Sequence, residues 1–323
     1  MSAITVWMLG AAEKEALFQT RGFTCESVET EQQLENAGKY FLVGYNNCLN
    51  NSNFNQLQEL LEDVELPYRG FSYEGAAMGY AMLDVFSFKK HRFQNYINTI
   101  GKHHIYMAYV GAGWAYAKLP VNIESRIANY DPLLKWLAID GYGFCHAYFN
   151  TKKYVADKAM PNLSDYGKHV FYQGLGRCLW FVEGANPDRI AYRIKTFPEK
   201  YASDLWAGIG LASAYAGAVD KATIEKIKEL GQPYILNIGQ GAAFAAAARI
   251  EAGNLVPHTD LANFIYSGIS AQTASDITED SRKTIATLHN DLPAYENWRR
   301  KISSSLSEIS MSPRLVSSPI TTY

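Results

Sequence analysis

The sequence predicts an all-α protein, an (α/α)6 barrel or toroid in which six helix pairs close into one ring. Two observations support this prediction. A glycine-rich segment recurs six times along the chain, and a large apolar residue precedes each of its first glycines by a fixed distance. A regular repeat with a helical period is typical of stacked helix pairs.

The glycine-rich segments give the repeat length. Their first glycines are separated by 36, 30, 33, 34 and 33 residues, which is enough chain for two short helices and two turns. These glycines are Gly75, Gly111, Gly141, Gly174, Gly208 and Gly241.

The other helix of each pair is visible upstream of the glycines. Eighteen residues before them, five of the six positions are apolar. Fourteen residues before them stand Leu61, Ile97, Ile127, Met160, Ile194 and Ile227. Because the two offsets differ by four, both positions lie on one helix face. Each unit is therefore predicted to be an amphipathic outer helix followed by an inner helix that is surrounded by protein.

All six inner helices have equally small or apolar residues, which favours a closed ring over an open solenoid with polar terminal repeats. We therefore expect one domain over residues 1–301, with residues 1–52 and 255–301 capping the ring. The Ser/Pro-rich stretch 302–323 is expected to be a mobile tail.

Composition limits the function classes. The chain has 30 basic and 32 acidic residues, a formal charge of −2, which gives no general attraction for nucleic acid. It lacks an apolar stretch of membrane-spanning length, a basic leader and a CxxC pair. We expect a soluble, cytoplasmic protein with no metal and no cofactor. Aromatic residues make up 13% of the chain, which indicates a use for flat, polarisable surface.

The residue before each repeat glycine and the residue four further on share one helix face. We call these the leading and the +4 positions; they are Glu74/Met78, Val110/Trp114, Asp140/Phe144, Gln173/Arg177, Ala207/Leu211 and Gln240/Phe244. Four of the six leading residues are polar, and polar groups among apolar helices are costly without partners. We therefore expect this face to line a central cavity. Glu74 or Asp140 could also serve only as helix caps, and Arg177 could neutralise Asp140.

The segments DGYGFCHAYF, FYQGLGRCLWFVEGANPDRI and DLWAGIGLASAYAGA resemble a bacterial family from natural-product clusters, the merosterolic acid synthase-like class II terpene cyclases of single-domain type. The resemblance covers about residues 55–255. It implies an isomerase or lyase-type enzyme of cyanobacterial meroterpenoid biosynthesis. Its substrate would be a hydrophobic prenylated aromatic acid, which is cyclised to a sterol-like product after protonation of the terminal alkene.

Such a cyclase needs a neutral carboxylic acid in a water-poor cavity. Asp140 begins the most aromatic inner segment and is the proposed acid, with Glu74 and Asp84 as reserves. His146 and His169 are candidates for orienting its proton. The chain departs from larger class II cyclases because it has no DxDD motif, so this assignment lacks that support. It also has no DDxxD motif, so we expect no magnesium dependence.

A cyclase also needs groups that bind the substrate and stabilise a moving positive charge. Each cation–π contact contributes about 0.5–2 kcal/mol. Arg177 is the candidate partner for a substrate carboxylate, because its guanidinium can form two parallel hydrogen bonds. The other candidate substrate-binding residues are Trp114, Tyr142, Phe144, Tyr172, Gln173, Trp180, Trp206 and Phe244. Peripheral contact with a membrane would help to collect so apolar a substrate.

Three other hypotheses remain. Cys145, His146 and Cys178 could hold zinc, as in lanthionine-type cyclases on the same toroid. Glu74 and Asp140 could be the carboxylate pair of a carbohydrate-active toroid. A non-catalytic scaffold of helical repeats would instead show a polar concave groove and no enclosed cavity.

Overall fold

The computed structural model describes residues 11–51, 53–86, 91–285 and 291–311. In these residues all regular secondary structure is helical and there is no strand, which confirms the predicted all-α toroid. The helices are α1 (Phe18–Arg21), α2 (Val28–Asn50), α3 (Phe54–Glu62), α4 (Leu66–Phe86), α5 (Arg92–Asn98), α6 (Ile105–Ala117), α7 (Ile123–Arg126), α8 (Lys135–Phe149), α9 (Asp165–Val182), α10 (Pro187–Lys195), α11 (Ala202–Tyr215), α12 (Lys221–Leu230), α13 (Ile235–Glu251), α14 (Pro257–Ser267), α15 (Ala271–Ile285) and α16 (Ala294–Met311).

The predicted helix pairs are present. The inner helices α4, α6, α8, α9, α11 and α13 carry the repeat glycines, and short outer helices precede them. Five of the six upstream apolar residues are buried. The sixth, Met160, is half-buried in a loop, because the fourth outer element is only a π-helical turn, Lys152–Ala156.

The inner helices touch backbone to backbone at the repeat glycines. A Cβ atom on any of the six first glycines would overlap a carbonyl oxygen of the preceding inner helix. Where a second glycine follows two residues later, as at Gly113 and Gly143, its Cβ would overlap a carbonyl of the next helix. The absence of a side chain at these positions therefore sets both the spacing and the register of the ring.

Helix α2 belongs to the same series, which corrects the prediction that residues 1–52 only cap the ring. A Cβ at Gly44 would overlap the Ser72 carbonyl, and one at Gly75 would overlap the Phe41 carbonyl. These are the positions used by the other inner helices. The glycine repeat does not include α2, because Leu42 stands where the other repeats have their first glycine.

The ring closes where α13 returns to α4. There the Arg249 guanidinium donates a hydrogen bond to the Pro67 carbonyl at 3.0 Å. Helices α2 and α15 overlap this closure at its two ends. Thr30 of α2 donates to the Ala218 carbonyl just after α11, and Arg282 of α15 donates to the Tyr106 hydroxyl of α6.

The C-terminal helix α16 packs across one end of the ring. Tyr295, Trp298, Ile302 and Leu306 are buried, and the Trp298 indole donates to the Thr278 carbonyl at 2.8 Å. The predicted tail over residues 302–323 is therefore wrong for residues 302–311, which are helical. Among the serines of this segment, Ile302 and Leu306 recur at helical spacing and are buried. The remaining residues, 312–323, lie outside the described part of the chain. None of the described helices is long and apolar enough to cross a bilayer.

The glycine contacts can be tested at Gly174, whose Cβ would overlap the Asp140 carbonyl. We expect Gly174→Ala to lower the free energy of unfolding by about 1–3 kcal/mol, because two packed backbones would have to separate. The control is Gly167→Ala on the same helix, where the nearest atom is the end of the flexible Glu124 side chain. Urea unfolding of both variants measures the difference, and equal stabilities would contradict the proposed role of the glycines.

Candidate functional site

Two cavities lie inside the ring, and the empty space between their lining atoms, open solvent included, is about 620 and 440 Å³. We call them the larger and the smaller cavity. Arg177, Leu211 and Tyr215 line both and so form the boundary between them. The larger cavity is mostly apolar, and its charged lining residues are Glu15, Glu74 and Arg177.

The boundary is built around a buried ion pair. Asp140 is fully buried, and its carboxylate accepts hydrogen bonds from the Arg177 guanidinium and from the Gln173 amide, the latter at 2.9 Å. The same Gln173 nitrogen lies 2.9 Å from the Tyr295 hydroxyl of α16. Burial opposes the charge on Arg177, but Asp140 and Glu74 outweigh it and raise the pKa of Arg177.

This pairing changes the roles expected of Asp140 and Arg177. Asp140 is occupied as an acceptor for two donors, so the structure does not offer it as a free acid. Arg177 is likewise engaged with Asp140 rather than open to a substrate carboxylate. Its guanidinium also lies 5.2 Å from the centroid of the Phe144 ring, which orients it further.

Two acids line the larger cavity, Glu15, which is paired with Arg21, and Glu74. Glu74 is the candidate proton donor. It is only 2% exposed and has no ion-pair partner within 4 Å among the described residues. Burial raises the pKa of Glu74 to about 8, although Arg177 acts in the opposite direction. The Trp114 indole N–H also lowers this pKa, but the two groups do not reach the geometry of a full hydrogen bond. At neutral pH the Glu74 carboxyl is therefore mostly protonated.

Asp84, the other reserve acid, lies in neither cavity. Its carboxylate accepts hydrogen bonds from the backbone N–H groups of His91, Arg92 and Phe93 at 3.0–3.3 Å. It caps the start of α5 and is a structural residue.

The two candidate histidines also lie away from the cavities. The His146 ring packs among the rings of Tyr142 and Tyr154 between the inner and outer layers, and burial lowers its pKa to about 4. His169 Nδ1 lies 2.7 Å from the Asp204 carboxylate. Neither histidine can orient a proton on Asp140 or Glu74.

Five of the six +4 residues line the cavities as expected, and the sixth, Met78, lines a neighbouring surface groove. Trp114 and Phe144 line the larger cavity, Phe244 lines the smaller one, and Arg177 and Leu211 line both. The other predicted aromatic residues, at different positions on their helices, line neither cavity. They pack in the layer behind it: Tyr142, Tyr172, Trp180 and Trp206.

Several lining residues were missed by the sequence analysis. Tyr148, Phe181 and Tyr215 stand eight residues after a leading position, one helical turn beyond the +4 residue on the same face. We call this the +8 position. Extending the face by one turn would have found them. Phe41 could not be found because α2 was not recognised as an inner helix.

A second buried ion pair, also missed, holds α16 against the ring. Arg299 donates to Asp204 of α11 at 2.8 Å and to the Gln240 side chain of α13 at 3.2 Å. This pair fixes Trp298, which lines the smaller cavity. Asp204 and Arg299 come from repeats far apart in sequence, so no local pattern predicts their contact.

The zinc hypothesis requires Cys145, His146 and Cys178 to converge. Cys145 is buried with its thiol 3.8 Å from the Trp114 carbonyl, whereas His146 lies in the outer aromatic layer. Burial raises the pKa of both thiols, to about 12 for Cys145, which opposes the thiolate form. The described residues contain no group of three His, Cys, Asp or Glu that could hold a metal ion.

The raised pKa of Glu74 predicts a pH-dependent stability. Its pKa is about 8 when folded, against an ordinary value of 4.5, so folding favours the protonated form. The stability of the natural protein relative to Glu74→Gln should therefore fall as the pH rises from 4.5 to 8, by about 1.4 kcal/mol per unit. Urea unfolding of both proteins at pH 5, 6.5 and 8 measures this difference. A difference that does not change with pH would contradict the assignment.

A comparison with curated proteins gave no match, and a comparison with solved structures gave none. One family model, described as "Protein of unknown function (DUF1702)", matches residues 1–306. The match includes α2 and the part of α16 that contacts the ring. The chain therefore belongs to the DUF1702 family.

Proposed function

We propose that this protein is a class II, isomerase or lyase-type terpene cyclase that starts cyclisation of a polyprenyl chain by protonating an alkene. The observation that carries the proposal is the Glu74 carboxyl, which is buried, mostly protonated at neutral pH and directed into a cavity lined by aromatic rings. An acid of this kind keeps its proton at neutral pH and can donate it to a bound substrate.

The proposed first step moves the Glu74 proton to one carbon of a terminal alkene. A new C–H bond forms, the π bond is lost, and the adjacent carbon becomes a cation. The carboxylate left on Glu74 lies within the field of the Arg177 guanidinium, which favours the ionised form. Asp140 holds Arg177 in this position, so we assign it a positioning role. The cyclised cation then loses a proton to water, which gives a product with the mass of the substrate, and a proton from water restores the Glu74 carboxyl.

The aromatic rings around Glu74 supply the second requirement. The Phe41 and Trp114 rings lie 4.4 Å apart between centroids, and Trp114 lies 5.1 Å from Phe144. Their π faces can stabilise successive cations along a folded chain, and exclusion of water strengthens these contacts. The same rings leave few hydrogen-bonding groups for a polar ligand.

A carbohydrate-active site fits the geometry less well. Asp140 lines the smaller cavity and is paired with Arg177, whereas Glu74 lines the larger one. The two carboxyl groups therefore do not face one substrate from opposite sides, as glycoside hydrolysis requires. We propose a prenylated aromatic acid as the substrate. A cytoplasmic protein in peripheral contact with a membrane would be well placed to collect it.

The role of Glu74 can be tested by its amide. We expect Glu74→Gln to abolish the conversion of a prenylated hydroxybenzoic acid into a cyclised product of the same mass, because the amide has no acidic proton. Incubation with EDTA and mass spectrometry measure the product. Glu251→Gln, which changes an exposed carboxyl on another inner helix, is the control. Normal turnover by Glu74→Gln would remove Glu74 from this role.

The pH dependence should follow the same group. Turnover requires the protonated carboxyl, so the rate should fall as the pH rises through about 8. A rate that rises across this range would contradict an acid-initiated step.

Truncation of an aromatic lining residue should change the product rather than only the rate. We expect Trp114→Ala to release partly cyclised and hydroxylated products, because one cation loses its π partner and water enters the space. Chromatography of the products against those of the natural protein provides the measurement. Reduced turnover with an unchanged product profile would count against stabilisation of cations by this ring.

A further inference from the structure

The larger cavity adjoins a surface groove, whose empty space, open solvent included, is about 1090 Å³. The two spaces share the lining residues Glu15, Phe41, Leu42, Trp114 and Phe149. Met78, Met82 and Leu119 continue the apolar lining of the groove outward. A hydrocarbon chain could therefore pass from the surface to Glu74 along these apolar side chains.

Two charged residues interrupt this lining, Glu15, which is paired with Arg21, and Lys118. The +8 positions are aromatic on α8, α9 and α11, but on α6 the +8 residue is Lys118. Lys118 is exposed at the end of α6 and lines the groove. Its ammonium nitrogen lies 3.1 Å from the centroid of the Phe149 ring, which it covers.

Lys118 is a cation without an anionic partner in the described part of the chain, where no carboxylate lies within 4 Å of it. The neighbouring cation, Arg21, is paired with Glu15 at 2.7 Å. Arg177, at the inner end of the same cavity, is paired with Asp140. Of these three cations, only Lys118 is open to an anionic ligand.

Glu74 and Lys118 stand at opposite ends of the path. Glu74 occupies the leading position of α4, and Lys118 the +8 position of α6. In the repeat these two positions are eight residues apart, which corresponds to about 12 Å along the axis of a helix. The proton donor is therefore deep in the ring and the free cation is at its opening.

We propose that the groove and larger cavity bind an anionic amphiphile with its apolar chain inserted first and its carboxylate held by Lys118 at the opening. The carboxylate would replace the Phe149 ring as the partner of the ammonium. Only the identity of the chain as a polyprene rests on the proposed function. The carboxylate contact expected for Arg177 is thereby assigned to Lys118.

This orientation presents the distal end of the chain to Glu74 and leaves the head group near water. Charge complementarity favours a carboxylate over an ester or an alcohol of the same length, because neither of these can form a charge-assisted hydrogen bond of equal strength with the ammonium.

Binding can be measured with cis-parinaric acid, a fluorescent fatty acid, and with its methyl ester, both below their micelle concentrations. We expect the natural protein to bind the acid about tenfold more tightly than the ester. Lys118→Met, which keeps an apolar stem, should lose this preference by weakening acid binding alone, and Lys118→Arg should retain it. Lys102→Met, in the exposed 3-10 turn that precedes α6, is the control and should behave as the natural protein.

Equal binding of acid and ester by the natural protein would overturn this inference, as would an unchanged preference in Lys118→Met. The readout is binding, so it separates the two proposals. A protein that prefers the acid through Lys118 but cyclises no polyprene would refute the proposed function alone.

Discussion

The close approach of the inner helices at their glycines determines the rest of the structure. Because each contact joins a glycine to a carbonyl at the same place in the preceding helix, every inner helix has the same rotation about its axis. The leading, +4 and +8 residues consequently point into the ring on every helix. A cavity with three stacked layers of side chains follows directly, and substitutions in one layer alter the lining without altering the backbone.

The chemistry depends on two opposing effects at one carboxyl group. Burial raises the pKa of Glu74, and the nearby Arg177 lowers it. Asp140 is an essential part of this balance, because its charge offsets that of Arg177 while its hydrogen bonds hold the guanidinium in place. A cavity with Arg177 alone would favour an ionised Glu74, and one with neither residue would not stabilise the carboxylate after proton transfer.

The sequence was sufficient for features that depend on one helix. The repeat, the helix pairs and the inward face that contains Trp114, Phe144 and Arg177 all follow from spacing within a segment. Features that depend on contacts between helices were open or not predictable. The pairing of Arg177 with Asp140 was one alternative from the sequence, and the three-dimensional structure decides it, because Glu74 is equivalent to Asp140 in the repeat. Likewise, α2 lacks the first glycine, and the apolar positions of α16 are concealed among serines.

The central claim is that Glu74 carries a proton at neutral pH while facing an aromatic cavity. Difference infrared spectroscopy of the natural protein and Glu74→Gln, collected across a pH titration, observes that proton directly. A protonated carboxyl band at pH 7 that is absent from the amide variant and disappears above about pH 8 is the expected result. A carboxylate band at Glu74 throughout the neutral range would contradict the account.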